Sequence, residues 1–270
     1  MISPAARHIA LAAIVAAATP AVAAERNFCA NRPGRGTPAC TLDPGRFQLE
    51  IGAADWMLDR QGSTRTDTIL LGDAVMRLGL SDTIEGEVAW TGYSHQHVHD
   101  RAARQVSNSA GSGDVMLAMK ASIKNPDGSG TSIALLPSVT LPTGSTAIGA
   151  GAWSAGLVVP VSFSLGGSWQ LGFSPEVDAA ADEDRHGRHL QYGVDASLSF
   201  PIGDEVTGTG ELSGFADRDP SGHATQWDFD FSLAWLPGSL KDVQFDIGSS
   251  VGLNHDAPDF HLYAGVAKRF

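Results

Sequence analysis

The chain has 270 residues, with 18 Lys or Arg against 30 Asp or Glu, which gives a formal net charge of −12. A nucleic-acid-binding protein needs a basic face for phosphates, so this charge argues against nucleic acid as a partner. Glycine is frequent, at 31 residues, and only 18% of the residues are charged. This composition is more typical of an all-β chain than of a helical one.

Residues 1–24 have the features of a secretory signal peptide. Arg7 supplies a positive charge, residues 9–18 are apolar, and Ala21-Val22-Ala23 is the small-x-small pattern before a cleavage site. We expect cleavage after Ala23 or Ala24. A membrane-anchor helix is the less favoured alternative, because the apolar run is short for a span and is broken at Pro20.

Residues 25–45 are an N-terminal segment that we assign to the periplasmic side. They include Cys29 and Cys40, the only two cysteines. An oxidising periplasm would permit a disulfide between them, and two unpaired thiols are the alternative.

From residue 46 onward, apolar and polar residues alternate with period two. Between Trp227 and Trp235, the sequence WDFDFSLAW places Trp, Phe and Leu on one face and Asp, Ser and Ala on the other. Successive side chains of a strand point to opposite faces, so the pattern predicts a strand with one apolar and one polar face. The same alternation predicts twelve strands, near residues 46–58, 67–80, 83–95, 113–124, 131–142, 152–165, 168–180, 189–203, 205–217, 224–236, 242–254 and 259–270.

The predicted connections alternate between long and short. The longest runs from His95 to Ser112, and residues 59–66, 143–151 and 181–188 fall on the same side. Outer-membrane barrels have long extracellular loops and short periplasmic turns, and about 9–11 tilted residues of each strand cross the bilayer. The sequence therefore predicts an all-β fold, a twelve-stranded antiparallel transmembrane barrel over residues 46–270.

A soluble sandwich or lipocalin-like barrel, with the apolar face inside, is the alternative. The polar face is poor in lysine, as a wet lumen would be. Trp227 and Trp235 share a face roughly 20 Å apart along the membrane normal, close to the ~25 Å apolar band of such barrels. The chain also ends on Phe270, in phase with Val266, which we interpret as a signal for the outer-membrane assembly machinery. These features favour the membrane barrel.

Several short motifs occur in the order found in one known family. They are RFQLEIG at 46–52, GDVMLAMK at 113–120, LPTG at 141–144, QFDIG at 244–248, and the ending through Gly265 to Arg269-Phe270. With them, the mature chain resembles the outer-membrane transporters named for the MetA pathway of phenol degradation. The resemblance implies a twelve-stranded barrel that takes up small compounds passively, apolar or aromatic ones among them. It implies no catalytic residues and no cofactor.

Acidic residues recur on the polar face of the predicted strands, with a few basic companions. One interpretation is a cation-favouring lumen, and the other is a paired network that plugs a narrow barrel. We expect the lumen charge network to consist of Glu50, Glu85, Glu87, Asp114, Lys120, Asp195, Asp228 and Asp246. Such a lumen would attract Arg32 and Arg35, so we expect the N-terminal segment at or inside the periplasmic mouth, with a mobile tail as the alternative.

No motif predicts a bound metal with any specificity. His95, His97 and His99, followed by Asp100, are a weak candidate for a divalent cation, and a solvated polar rim is the alternative. The sequence contains no nucleophile elbow, phosphate loop or zinc-protease motif, so we predict no enzyme activity.

We therefore predict a channel or transporter of the bacterial outer membrane for passive uptake of small solutes. Its expected partners are outer-membrane lipid, the assembly machinery and the solutes. A plugged structural or sensory barrel without transport is the alternative.

Overall fold

The computed structural model describes residues 25–270, so the predicted signal peptide lies outside the described residues. Within residues 25–270, no helix is long and apolar enough to span a membrane. A single 3₁₀ turn is described, at Gly238–Leu240. The remaining regular structure consists of strands, as the two-residue alternation predicts.

Fourteen strand segments form one antiparallel sheet. They are β1 (Phe47–Gln61), β2 (Thr64–Gly79), β3 (Ile84–Asp100), β4 (Gln105–Gly111), β5 (Val115–Lys124), β6 (Thr131–Leu141), β7 (Ser154–Val158), β8 (Val161–Gly166), β9 (Trp169–Ala181), β10 (Arg188–Pro201), β11 (Val206–Asp219), β12 (Gly222–Trp235), β13 (Val243–Gly252) and β14 (Phe260–Arg269).

The sheet closes on itself as a barrel of twelve strands. Strands β4 and β5 pair with successive parts of β3, so together they form one barrel strand. Strands β7 and β8 likewise share β6 and β9 as neighbours, and Pro160 lies between them. Proline has no N–H to donate, which interrupts the ladder there. β1 pairs with β14 and β9 with β10, so the ring has no free edge, and the predicted strand number is confirmed.

The distribution of side chains is the reverse of that in a soluble protein. The charged groups of Glu50, Arg77 and Lys120 are fully buried, whereas Leu117 and Phe231 are each 40% exposed. Large apolar side chains cover the outside along nearly every strand. A surface of this kind is stable only against lipid, because in water it would be a large exposed apolar patch. The fold is therefore a transmembrane barrel of the outer-membrane type, with a polar lumen.

Aromatic side chains surround one end of the barrel. Trp169 packs on Phe200 with ring centroids 5.4 Å apart, and Trp235 packs on Phe245 at 5.7 Å. Phe270 is 5.7 Å from Phe47 by the same measure. The short turns 80–83, 167–168 and 202–205 lie at this end, so it is the periplasmic end by the usual orientation of such barrels.

Two predicted loops are wrong in their extent. The region from His95 to Ser112 is mostly a hairpin: β3 continues to Asp100, β4 begins at Gln105, and only residues 101–104 turn. Residues 59–66 likewise continue β1 and β2, with a turn at 62–63. Strands can extend past the bilayer into water, where their side chains are polar. The point at which apolar residues stop alternating in the sequence therefore marks the end of the membrane span and not the end of the strand. The open connections at the extracellular end are 142–153, 182–187 and 253–259.

Candidate functional site: the barrel lumen

The N-terminal segment, residues 25–45, lies inside the barrel. It enters at the periplasmic end, turns at residues 32–37 and returns to begin β1. A disulfide joins Cys29 on the ascending arm to Cys40 on the descending arm, with their Cα atoms 6.4 Å apart. The segment is therefore a closed loop inside the lumen, and its turn reaches Glu211 and Asp228 of the opposite wall.

Contacts within the segment and with β14 hold the base of the segment. The Arg26 guanidinium donates to the carbonyl oxygen of Leu42, at 2.9 Å. Arg269, near the end of β14, donates to the carbonyl oxygen of Arg26 at 2.8 Å and to the Asp242 carboxylate. The pKa of the Asp242 carboxyl lies below its usual range, because Arg269 donates hydrogen bonds to it. The base of the segment is thus tied to the last strand of the barrel.

A fully buried group of charges faces the segment from the wall formed by β1, β2, β3 and β5. We call it the buried network. Arg77 contacts Glu50 at 2.9 Å and Glu85 at 2.8 Å. Lys120 contacts Glu87 at 3.1 Å and lies 3.8 Å from Glu85. Each charge has an opposite partner, which offsets the high cost of removing it from water.

The segment supplies the remaining hydrogen bonds of the buried network. The backbone N–H groups of Asn31 and Arg32 donate to the two oxygens of Glu50, at 3.0 and 2.9 Å. The Asn31 side chain donates to Glu87 at 3.0 Å and accepts from Lys120 at 3.1 Å. On the descending arm, the Leu42 N–H donates to Glu85 at 2.6 Å. The segment and the wall therefore satisfy each other's polar groups.

At the turn of the segment, two arginines point towards the opposite wall. Arg32 forms a bidentate pair with Asp246 of β13, at 3.2 and 2.9 Å. Gln244 of the same strand donates to the Arg32 carbonyl oxygen at 2.9 Å. Arg35 lies 3.5 Å from Asp228 of β12, and its side chain is 37% exposed. Arg32 is therefore held firmly, whereas Arg35 remains partly in the open lumen.

The glycines around Arg35 let a carboxylate approach the backbone. The N–H groups of Arg35 and Gly36 both donate to Glu211 of β11, at 2.9 and 3.2 Å. A Cβ at Gly36 would lie 2.6 Å from an Asp195 oxygen, and Gly34 has a φ of +88° that favours glycine. The turn of the segment therefore favours glycine at both positions.

The wall facing this turn carries many more acidic than basic groups. We call it the acidic wall; it consists of Glu176, Asp178, Asp195, Glu211, Asp228, Asp230 and Asp246. Asp195 accepts from Ser213 at 2.7 Å, and Asp230 accepts from Tyr263 at 2.8 Å. Both oxygens of Asp228 are buried with no hydrogen-bond partner among the described residues. Unlike the acidic residues of the buried network, five of these seven form no ion pair among the described residues.

Two cavities lie along the acidic wall. The upper one, of about 330 Å³, is lined by Arg35, Glu176, Asp178, Gln191, Phe215 and Gln226. The lower one, of about 410 Å³, opens below Gly36 and Glu211. Hydroxyl and amide side chains line much of its barrel side, among them Ser162, Ser164, Gln170, Ser197, Ser199, Thr207 and Thr209. Most side chains that line the part of the lumen left open by the segment are therefore polar, with Phe215 and Trp169 among the exceptions.

The predicted lumen residues fall into three places. Glu50, Glu85, Glu87 and Lys120 belong to the buried network, and Asp195, Asp228 and Asp246 belong to the acidic wall. Asp114 lies in neither. It sits between β4 and β5 and accepts from the N–H groups of Gly144 and Ala150, at 2.6 and 2.8 Å. Its contacts anchor the extracellular connection 142–153.

The three histidines of the weak metal candidate lie on β3, not in a loop. They share a face with Arg65, Asp67 and Ile69 and line a recess of about 450 Å³. His97 contacts the Asn108 amide oxygen at 2.8 Å, and Arg65 occupies Asp67 with a bidentate pair. The nearby Asp67 carboxylate is thus already paired with the Arg65 guanidinium.

Sequence reasoning missed the residues that pin the segment. Gln48 donates to the Cys29 carbonyl oxygen at 3.0 Å, and Asn31 bridges Lys120 and Glu87. The hydroxyl-lined side of the lower cavity was also not singled out. The sequence did contain a signal for this side of the cavity, because serine and threonine occupy polar-face positions of the alternating pattern in β10 and β11. No comparable signal marked Asn31, which lies outside the strands.

Comparison with known proteins supports the fold. A family model described as "Putative MetA-pathway of phenol degradation" matches residues 30–270. An outer-membrane channel of Pseudomonas putida F1 is similar in structure, with a TM-score of 0.69 at 14% identity, covering 88% of this chain and 99% of that chain. The translocator domain of the autotransporter NalP from Neisseria meningitidis gives a TM-score of 0.51 at 12% identity, covering 84% of this chain and 88% of that one. Comparison with curated proteins finds no match.

Proposed function

This chain belongs to the family of the MetA pathway of phenol degradation, and we propose that it is a passive outer-membrane channel for small neutral or cationic solutes. One observation carries the proposal. The two cavities along the acidic wall lie above and below residues 35 and 36, and both are lined by polar groups. The Arg35 side chain and the turn of the segment lie between the two cavities.

Charge sets the selectivity of this passage. The seven carboxylates of the acidic wall face two arginines of the segment, Arg32 and Arg35. Rings and patches of one charge select passing ions by sign. The passage therefore favours cations and neutral polar solutes over anions.

The family description directs attention to phenol-like compounds. Phenol is small and is neutral at neutral pH, and its hydroxyl group can both donate and accept a hydrogen bond. The hydroxyl groups of Ser197, Ser199 and Thr209 line the lower cavity and can exchange hydrogen bonds with it. Hydroxylated aromatic compounds are thus the solute class that we propose.

Single-channel recording tests the proposal. Purified protein in a planar bilayer under a KCl gradient should conduct, with a reversal potential of the sign for cation preference. Catechol should lower the K⁺ current by occupying the passage, whereas benzenesulfonate, an anion of similar size, should not. A protein-free bilayer controls for effects on the membrane.

The recording also distinguishes a channel from the alternative, a plugged structural barrel. The many contacts between the segment and the barrel wall are the observation that favours this alternative. A variant lacking residues 25–43 should conduct more than the full-length protein. If folded full-length protein is silent and only the truncated variant conducts, the native barrel is plugged and the transport proposal is wrong.

The outer face defines two further proposed partners. The exposed apolar belt fits outer-membrane lipid, and Phe270, 54% exposed at the periplasmic rim, fits a signal read by the assembly machinery. Deleting Phe270 should reduce the amount of folded barrel in outer-membrane fractions, while Phe270→Tyr, which keeps the ring, should not.

The structures that this chain resembles are a channel and a translocator domain. The proposal therefore assigns transport, and no enzyme activity, to this chain.

A further inference from the structure

A second polar cluster lies at the extracellular rim, outside the passage described above. Asp182 follows β9, His189 is near the start of β10, and Asp219 ends β11. Their side chains are only 14%, 6% and 12% exposed, respectively. One ligand atom from each lies within 4.8 Å of the others. Three neighbouring parts of the chain thus bring one imidazole and two carboxylates together.

The distances in this cluster are those between ligands of one metal ion. His189 Nδ1 lies 3.0 Å from Asp182 Oδ1 and 3.2 Å from Asp219 Oδ2. In a tetrahedral or octahedral site with bonds of about 2.0–2.2 Å, neighbouring ligand atoms lie about 2.8–3.6 Å apart. A ring nitrogen carries at most one hydrogen, so it cannot donate a well-aligned hydrogen bond to both carboxylates. A cation placed between the three atoms would satisfy all of them.

The other ring nitrogen of His189 provides an independent observation. Nε2 is buried and has no hydrogen-bond partner among the described residues, although it lies 3.0 Å from Asp217 Oδ1. Histidines that bind metal through one nitrogen commonly present the other to a carboxylate, which fixes the tautomer. With Nδ1 on a metal, Nε2 carries the hydrogen, and a small rotation of the ring directs it at Asp217.

The charge of the cluster also calls for a cation. Asp182, Asp217 and Asp219 meet here, and Glu183 is adjacent. Among residues 25–270, no lysine or arginine forms an ion pair with any of these four carboxylates. Backbone N–H groups of Glu183 and Ser221 donate to Asp219 and hold it in position, at 2.8 and 2.7 Å.

We propose that Asp182, His189 and Asp219 bind one divalent transition-metal cation, with Asp217 orienting the histidine. Imidazole nitrogen with carboxylate oxygen suits Zn²⁺ and its first-row neighbours better than Ca²⁺ or Mg²⁺, which prefer oxygen ligands alone. The bound ion joins the connection 182–187 to β10 and β11. It therefore fixes the part of the extracellular rim next to the upper cavity.

Titration calorimetry of the folded full-length barrel with Zn²⁺ tests the site. The wild-type protein should bind one equivalent that is lost, or weakened at least tenfold, in Asp182→Asn and His189→Ala. His186→Ala is the matched control, because this histidine lies in the same connection with its side chain 86% exposed and should leave binding unchanged. Asp217→Asn should weaken binding about 10–100-fold. His95, His97 and His99 are unchanged in all four variants, so they contribute equally to every titration.

Heat-modifiable gel mobility establishes that each variant is folded before titration. Asp182→Asn retains the shape of the side chain and serves if the alanine variant does not fold. Wild-type protein that binds no Zn²⁺, or folded His189→Ala and Asp182→Asn variants that bind like the wild type, would overturn the proposal. The cluster would then be a histidine that is hydrogen-bonded to Asp182 and binds no metal.

Discussion

The two sides of the lumen meet the same N-terminal segment with very different charge balances. In the buried network, Arg77 and Lys120 face three carboxylates, and all five side chains are almost completely buried. On the acidic wall, seven carboxylates face Arg32 and Arg35, and both oxygens of Asp228 lack a hydrogen-bond partner among the described residues. The first arrangement is dry and nearly neutral, so it holds the segment. The second has an excess of acidic side chains and two adjoining cavities, so it can serve a passage.

The comparison indicates that one ionic lumen can perform two tasks. Buried ion pairs are costly to break, because the remaining partner is left as an unpaired charge. Carboxylates that face water or cations do not carry this penalty to the same degree. Position along the barrel wall therefore decides whether an acidic residue contributes to stability or to selectivity.

The largest effect is expected from Arg77→Met. This change leaves Glu50 and Glu85 without their guanidinium partner in a site closed to water. Loss of one partner of a buried pair costs about 3–5 kcal/mol, and we expect a fall of that order in the free energy of unfolding. Urea unfolding of protein folded into lipid vesicles measures it, with the exposed Arg101→Met as control. Equal midpoints for the two variants would contradict the structural role of the buried network.

The same chemical change made on each side should have different consequences. Glu50→Gln loses a charged acceptor for Arg77 and for two backbone N–H groups, which should lower stability by about 1.5–3 kcal/mol. Asp228→Asn removes no hydrogen bond among the described residues and only the ion pair with the partly exposed Arg35, 3.5 Å away, so stability should change by less than about 1 kcal/mol. Its effect should be a reversal potential closer to zero. A large stability loss in Asp228→Asn with unchanged selectivity would reverse the assignment of the two sides.

A change at the turn of the segment tests how closely it fits the acidic wall. In Gly36→Ala the new Cβ would lie 2.6 Å from an Asp195 oxygen and 2.8 Å from a Glu211 oxygen. Crowding of this kind costs about 1–3 kcal/mol, and here the segment can move away, so we expect the lower end of that range. Single-channel conductance should rise as the turn is displaced. Gly222→Ala, where a Cβ meets nothing within 4 Å, should match the wild type.

The smallest effect is expected at the periplasmic mouth. Asp242 and Arg269 form a partly exposed pair, so Asp242→Asn should cost less than about 1 kcal/mol at neutral pH. The pKa of Asp242 is lowered in the folded protein by the hydrogen bonds from Arg269. Its contribution is therefore present above the unfolded-state pKa of about 3.9 and is lost as the pH falls through the lower folded value. Unfolding midpoints of the two proteins should converge in acid, and a difference that grows in acid would contradict this.

Much of the barrel could be predicted because its signal is local. The alternation of Trp227 to Trp235 with aspartate and serine defines a strand and its two faces without knowledge of any neighbour. Further features, such as the terminal Phe270, were needed to decide which face of the strands meets lipid. The extent of β3 beyond His95 was missed because polar residues outside the bilayer no longer alternate in hydropathy.

The site was less predictable because its contacts connect distant parts of the chain. The acidic residues of the lumen could be located by their positions in the two-residue alternation. The division of these residues into a paired and an unpaired side could not be predicted. That division depends on Asn31 and Arg32, which bond Glu50 and Asp246 from outside the strands. The rim cluster around His189 depends likewise on carboxylates from two other parts of the chain. Neither arrangement has a sequence spacing that would mark it.

Thiol accessibility tests most directly whether the passage follows the acidic wall. The only two cysteines form a disulfide and leave no free thiol, so a single introduced cysteine reports its own surroundings. Ser197 lines the lower cavity, so Ser197→Cys places a thiol there. Ala267 is fully buried and pairs with Glu50 in the sheet, so Ala267→Cys places a thiol in a closed position. A cationic methanethiosulfonate reagent applied to conducting channels should modify Ser197→Cys rapidly and reduce its current, and should leave Ala267→Cys unmodified. Rapid modification and block of Ala267→Cys, with Ser197→Cys unreactive, would contradict the account.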